Sequence, residues 1–152
     1  MRTHILAISK WKKGPEQALF ESYSNRLRPK PVLKELEVRK KLSGLELKQA
    51  EAELLLESVP KGAVIVALDE RGKTMPSREF ANRIQAWQDQ GRGDIAFIIG
   101  GADGLDESVR ASCDLLISFG SMTWPHMLVR PMLAEQLFRA HSILAGHPYH
   151  RD

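Results

Sequence analysis

The chain has 152 residues, of which 43% are hydrophobic and 27% charged. This composition fits one soluble globular domain spanning 1–152 and argues against a disordered chain. No apolar run reaches the roughly 20 residues of a membrane helix, which leaves no membrane partner to expect. In MRTHILAISKWKK the charges follow the short apolar run, the reverse of a secretory signal, so a cytoplasmic location is expected.

THILAIS (3–9) is short, apolar and strand-like. Gly14-Pro15 breaks the chain, and Pro15 suits a first helical turn. The helix of PEQALFESYSNRLR places Ala18, Leu19, Tyr23 and Leu27 on one side, and Pro29 and Pro31 stop it. VLKELEV (32–38) alternates like a strand with one wet face. Ser43 and Glu46 form a capping-box pattern for a helix running to about Val59.

AVIVAL (63–68) is continuous and β-branched, as in a strand covered on both faces. DERGKTMP then reads as a polar loop and SREFANRIQAWQDQ as a helix. DIAFIIG (94–100) is the next strand, GADG a loop, DESVRASC a short helix and DLLISFG (114–120) a fifth strand. The loop SMTWPH leads into a helix from about Met127 to Leu144, with Pro131 in its first turn. Strands alternating with helices predict an α/β fold: a mostly parallel sheet with helices on both faces.

In such sheets ligands bind beyond the carboxyl ends of the strands. That rule selects Leu68–Gly72, Gly100–Gly104 and Ser121–His126, which should share one edge. IIGGADG lacks the GxGxxG pattern, and no GxxxxGK[ST] occurs, which disfavours an NAD or ATP site. Paired glycines still allow close backbone approach to a ligand, although an ordinary turn explains them equally. Met122, Trp124 and Met127 are large apolar residues in or beside a loop, either lining a pocket or tucked under the following helix.

The lone Cys113 sits among apolar neighbours and reads as core. Four of the five histidines lie between 126 and 150, without zinc-ligand spacing, so no metal is expected. His141, at mid-helix, reads as structural. Glu135 and Arg139 are i, i+4 neighbours: either an intrahelical ion pair or a pair facing a partner or substrate. Charge is uneven: residues 1–50 carry 12 Lys/Arg against 5 Asp/Glu, a net of +7, and residues 51–152 carry 10 against 14, a net of −4. The basic clusters Lys10/Lys12/Lys13, Arg26/Arg28/Lys30 and Arg39/Lys40/Lys41 mark either a solvated surface or a polyanion-binding one.

FIIGGADG followed by SMTWPHMLVRPMLAEQLFRAHSILAGHPYHR resembles the RlmH family, ribosomal large-subunit pseudouridine methyltransferases of the SPOUT superfamily. Family members read IGGxxG and then LTxPHxLxRxxLxEQLYRAxxIxxxxPYHR. The resemblance spans the whole chain, with Met122 replacing the usual Leu and Phe138 the usual Tyr. It implies a C-terminal trefoil knot, an exception to the rule that chains are unknotted. It also implies S-adenosylmethionine as cofactor, held by Leu68, Gly100, Gly101, Ser121, Met122, Thr123, Trp124, Pro125 and His126.

The implied reaction is methylation of N3 of a pseudouridine in 23S rRNA within the ribosome, by a homodimer with its site at the subunit interface. His126, Arg130, Glu135, Arg139, Tyr149, His150 and Arg151 become candidates for catalysis or substrate binding. The tail PYHR is expected to dock beside the partner's cofactor and to need no anchor on its own subunit. A non-catalytic RNA-binding or ribosome-assembly dimer on this fold is the main alternative. A nucleotide-binding protein of another type is disfavoured by the missing phosphate loop.

Overall fold

The computed structural model describes residues 1–150. Five strands form one all-parallel sheet in the order β2-β1-β4-β3-β5. They are β1 (Arg2–Ile8), β2 (Val32–Leu36), β3 (Val64–Lys73), β4 (Asp94–Ile99) and β5 (Leu115–Ile117), with α1 (Pro15–Ser24), α2 (Gly44–Glu57), α3 (Ser77–Asp89), α4 (Glu107–Ser112) and α5 (His126–Ala145). The alternation expected from the sequence is therefore observed.

The apolar runs become strands because both of their faces are covered. On one face Ile5, Val64, Val66, Ile95 and Phe97 pack against Phe20, Phe80, Ile84, Leu133 and Leu137. On the other, Leu6, Ala67, Ala96 and Ile98 meet Ala52, Leu55, Leu105 and Val109. Each fully buried large side chain contributes about 1.5–3 kcal/mol of transfer free energy. β4, central in the sheet, is buried at every position after Asp94.

Several local expectations are corrected. The segment DERGK is not a plain loop. β3 runs on to Lys73, and both Leu68 and Lys73 pair with Ile117 across a register shift, so Asp69–Gly72 bulges out of the ladder. A Cβ on Gly72 would lie 2.5 Å from the Ile117 carbonyl carbon, so only glycine lets the two backbones meet there. The polarity that signalled a loop comes from this bulge facing a cavity.

Ser43 is the N-cap of α2, but its hydroxyl makes no capping bond, so the capping box does not close. Ser43, Gly44 and Leu45 are exposed, and water can serve the free N–H groups there. α1 stops at Ser24, before Arg28. α5 begins at His126, which makes Pro131 its sixth residue, in the second turn and not the first. β1 ends where Ser9 adopts a left-handed φ of 80°, a conformation unusual for a non-glycine residue.

Candidate functional site

The ends of β3, β4 and β5 open into a cavity of about 270 Å³. The three expected loops converge on it. Leu68–Arg71 come from the β3 bulge, Gly100–Gly104 from the turn after β4, and Ile117–Gly120 with Met122–Trp124 from the β5–α5 connection. Of the expected cofactor residues, Leu68, Gly100, Gly101, Met122, Thr123, Trp124 and His126 line the cavity. Ser121 and Pro125 belong to the same loop but stand outside its wall. Pro125 instead starts α5, its carbonyl accepting from Leu128 and Val129 N–H.

Met122 is 75% exposed and Trp124 41%, so these large apolar groups are open to solvent and not tucked beneath their helix. Thr123 ties the loop to the bulge, its hydroxyl donating to Glu70 Oε2 at 3.1 Å. Arg110 braces the opposite wall. It donates to the Leu105 carbonyl at 2.7 Å and pairs with Glu107 at 2.8 Å and Asp69 at 3.6 Å. The paired glycines answer first to packing. A Cβ on Gly100 would meet Leu105 Cδ2 at 2.9 Å, and one on Gly101 would meet Ile8 Cγ2 at 3.1 Å.

Lys48, Phe119 and Arg110 also line the cavity and were missed in the sequence. Phe119 follows the end of a strand beside glycine, a weak signal. Lys48 and Arg110 lie on helices of the opposite face, and no local pattern marks them.

His126 sits at the start of α5. Its Nδ1 is buried without a protein hydrogen-bond partner. Burial, and then the nearby Arg130 charge, push its pKa below the ordinary histidine value. The imidazole is therefore neutral at neutral pH and offers a lone pair, not a charge.

Arg130, one turn on, is 0% exposed and does not line the cavity. Its guanidinium donates to Glu35 Oε2 at 2.7 Å, to the Ile8 carbonyl at 3.0 Å and to the Ser9 carbonyl at 2.6 Å. It also lies over the Trp11 ring, 4.5 Å from the centroid. Arg130 thus fastens α5 to the carboxyl end of β1 and supports the left-handed Ser9.

Glu135, Arg139 and Tyr149 form a second cluster, in which Glu135 lies about 14 Å and Arg139 about 20 Å along α5 from His126 at 1.5 Å per residue. Arg139 donates twice to Glu135 Oε1, at 3.0 and 2.6 Å, and Tyr149 Oη donates to the same oxygen at 3.0 Å. The intrahelical pair therefore exists and also holds the tail. Tyr149 packs edge-on against Phe138 at 4.7 Å, and Arg139 lies 5.1 Å from its ring centroid. Burial, with hydrogen bonds to Tyr23 and Glu135, pushes the Tyr149 phenol up to about 12.

The tail arrives there because Gly146 ends α5 at φ 70°, with His147 N–H returning to the Ser142 carbonyl at 2.8 Å. Tyr149 is thus anchored on its own subunit, an anchor that the sequence reading did not require. His150 is half-buried just beyond, and Arg151 lies outside the described residues.

The lysines and arginines of the three basic clusters are all exposed. Among the described residues no group of three or more His, Cys, Asp or Glu could hold a metal ion, and no helix is long and apolar enough to cross a membrane.

The family model described as "Predicted SPOUT methyltransferase" matches residues 1–150. The chain belongs to the SPOUT methyltransferase family. Curated relatives agree over nearly the full length. "Ribosomal RNA large subunit methyltransferase H" of Paramagnetospirillum magneticum is 60% identical over 151 residues, covering 99% of each chain. The protein of the same name from Rhodospirillum centenum is 58% identical at the same coverage.

Among solved structures, a probable methylase family protein from Haemophilus influenzae aligns with a TM-score of 0.58 at 13% identity, over 99% of this chain and 70% of that one. A probable methyltransferase from Bordetella pertussis aligns at 0.55 and 14% identity, over 91% and 95%. These two establish the shared fold alone. As a SPOUT methyltransferase the chain needs a methyl donor, and the three-loop cavity is where its sheet presents a binding edge.

Proposed function

We propose that this protein transfers a methyl group from S-adenosylmethionine to N3 of a pseudouridine in 23S rRNA within the ribosome. It does so as a cytoplasmic homodimer whose C-terminal segment is threaded as a trefoil knot. Family membership supports the reaction class, and the relatives' shared name supports ribosomal RNA as substrate. The observation that carries the reading is the convergence of Leu68, Gly101 and Met122–Trp124 on one cavity at the carboxyl edge.

The cavity's chemistry suits this cofactor. Leu68, Ile99, Phe119, Met122 and Trp124 offer apolar walls to a purine, Lys48 and Arg110 offer cations to a carboxylate, and Asp69 and Glu70 offer anions to an ammonium. The buried His126 Nδ1 is a polar atom with no protein partner, available to a ligand. When bound, the cofactor supplies an activated methyl carbon on a sulfonium.

The residues of the chain then have two tasks. Met122 and Trp124 exclude water and fix the donor, and well-oriented reactants can save about 7–11 kcal/mol of barrier. The second task is to manage the N3 proton, because the nitrogen lone pair is delocalised until that proton leaves. Neutral His126, Glu135 and His150 are the proton-accepting candidates. Arg139 and Arg151 are the cations that stabilise the resulting anion at the ring oxygens. Arg130 acts through Glu35 and the Ser9 carbonyl and positions the site from behind. A second subunit supplies its Glu135–Arg139–Tyr149 cluster, with His150 and Arg151 following, to the cofactor of the first.

Nucleoside analysis of unmodified ribosomes incubated with protein and cofactor tests the reading. The expected product is N3-methylated pseudouridine. Unchanged nucleosides, with the protein folded and binding cofactor, would leave an RNA-binding protein without this activity.

A further inference from the structure

Behind the loop that closes the first cavity lies a second of about 330 Å³, lined by Thr74–Met75, Ser77, Phe80, Ile117–Gly120 and Gln136. Its polar floor is wired to the tail cluster. Ser77 Oγ lies 2.7 Å from Gln136 Oε1, and Gln136 Nε2 lies 3.0 Å from Glu135 Oε2. The orientation of the amide follows from chemistry. A carboxylate only accepts, so Gln136 must turn its NH₂ to Glu135. Its oxygen then faces Ser77, whose hydroxyl must donate.

Glu135 therefore has both oxygens committed. Oε2 is held by Gln136, and Oε1 takes Arg139 and Tyr149. The Gln136 bond is the one that does not involve a group already proposed to meet substrate. It sets the rotation of the carboxylate, and hence where Arg139 and Tyr149 are held.

We infer that Gln136, itself fixed by Ser77, is a positioning residue that orients the Glu135 carboxylate for methyl transfer. This rests on the functional reading above. The charged and titratable groups bonded to Glu135 are Arg139 on its own helix and Tyr149 in the tail; Tyr23, near the end of α1, lies beside Tyr149, and Arg26 lies over the Phe138 ring. From α3, Ser77 reaches Glu135 through Gln136.

Two substitutions at Gln136 separate orientation from packing. Gln136→Met keeps length and bulk but loses the N–H. It should lower kcat about tenfold, the scale of one lost charge-assisted hydrogen bond, with cofactor Kd and ribosome KM within about twofold. Gln136→Glu carries a conditional donor. Two carboxyl groups in contact tend to share one proton, because two like charges side by side repel. That shared proton restores the donor at low pH and is lost as pH rises. The ratio of Gln136→Glu to wild-type activity should therefore be highest in acid and fall as the pH rises.

Ser77→Ala, on another helix, guards against misfolding at Gln136 and should show the same kcat-selective loss on a smaller scale. A wild-type kcat in Gln136→Met with a flat pH ratio in Gln136→Glu overturns the inference. So does a parallel loss of cofactor affinity and kcat. Inactive wild-type protein would instead overturn the functional reading itself.

Discussion

Arg130 and Glu35 stand 95 residues apart in the chain, yet their side chains meet at 2.7 Å, with the guanidinium wholly buried. The same Glu35 oxygen accepts the Trp11 N–H at 2.6 Å. One carboxylate thus joins β2, the basic loop after β1 and the start of α5. Without Arg130, Glu35 keeps the Trp11 N–H and some solvent. Arg130→Met should still cost about 1–3 kcal/mol, because Glu35 and the Ile8 and Ser9 carbonyls all lose the guanidinium as a donor. Chemical denaturation measures this, and a loss below about 1 kcal/mol would contradict the strut assigned to Arg130.

Gly72 makes a second, backbone-level prediction. Its missing Cβ is what lets β3 return to β5 after the bulge. Gly72→Ala should destabilise by about 1–3 kcal/mol, typical of overpacking. It should also weaken cofactor binding, since Asp69–Arg71 line the cavity. Calorimetric titration of the folded variant separates the two effects. Unchanged stability and affinity would mean that the close approach is not needed.

Asp94 links the first and fourth strands, accepting from His4 at 2.8 Å and Arg2 at 3.0 Å. The His4 hydrogen bond, followed by the Arg2 bond and both charges, holds its carboxyl below the ordinary aspartate value despite some desolvation. A carboxyl whose folded pKa is depressed stabilises the fold above its unfolded pKa, and that stability is lost as pH falls through the folded value. Asp94→Asn should therefore lower Tm at neutral pH, with the difference from wild type closing in acid. A Tm difference constant with pH would contradict the assignment.

The basic surface predicts a salt-dependent grip on RNA. Neutralising Lys12, Lys13 or Arg28 should weaken ribosome binding and reduce the slope of log affinity against log salt by about 0.7–0.9 for each phosphate left unneutralised. Cofactor affinity should be unchanged, because none of the three lines the cavity. Equal loss of both affinities would contradict a separate RNA-gripping surface.

These residues also show what a sequence can disclose. Continuous apolar runs marked β1, β3, β4 and β5, since a strand buried on both faces has no polar alternation to obscure it, and β2 showed instead by the alternation of a half-exposed edge strand. The carboxyl-edge rule then located Leu68, Gly101 and the 121–126 loop from the order of the elements alone. The β3 bulge was hidden because its residues face a cavity and so look like a loop. Arg130 looked like a substrate arginine because nothing nearby reveals partners at Glu35 and Ser9. Lys48 and Gln136 were invisible for the same reason: their roles depend on neighbours from distant elements. The tail's anchor required the left-handed turn at Gly146, which returns Tyr149 to Phe138.

The most direct test of the account is transfer of labelled methyl from S-adenosylmethionine to ribosomes lacking the modification, with the intact chain and with one ending at Gly146. The account predicts transfer by the intact protein alone, while both forms fold and bind cofactor at the three-loop cavity. Equal transfer by the shortened chain would contradict the role given to Tyr149, His150 and Arg151. Absence of transfer by the intact, folded, cofactor-bound protein would contradict the reaction itself.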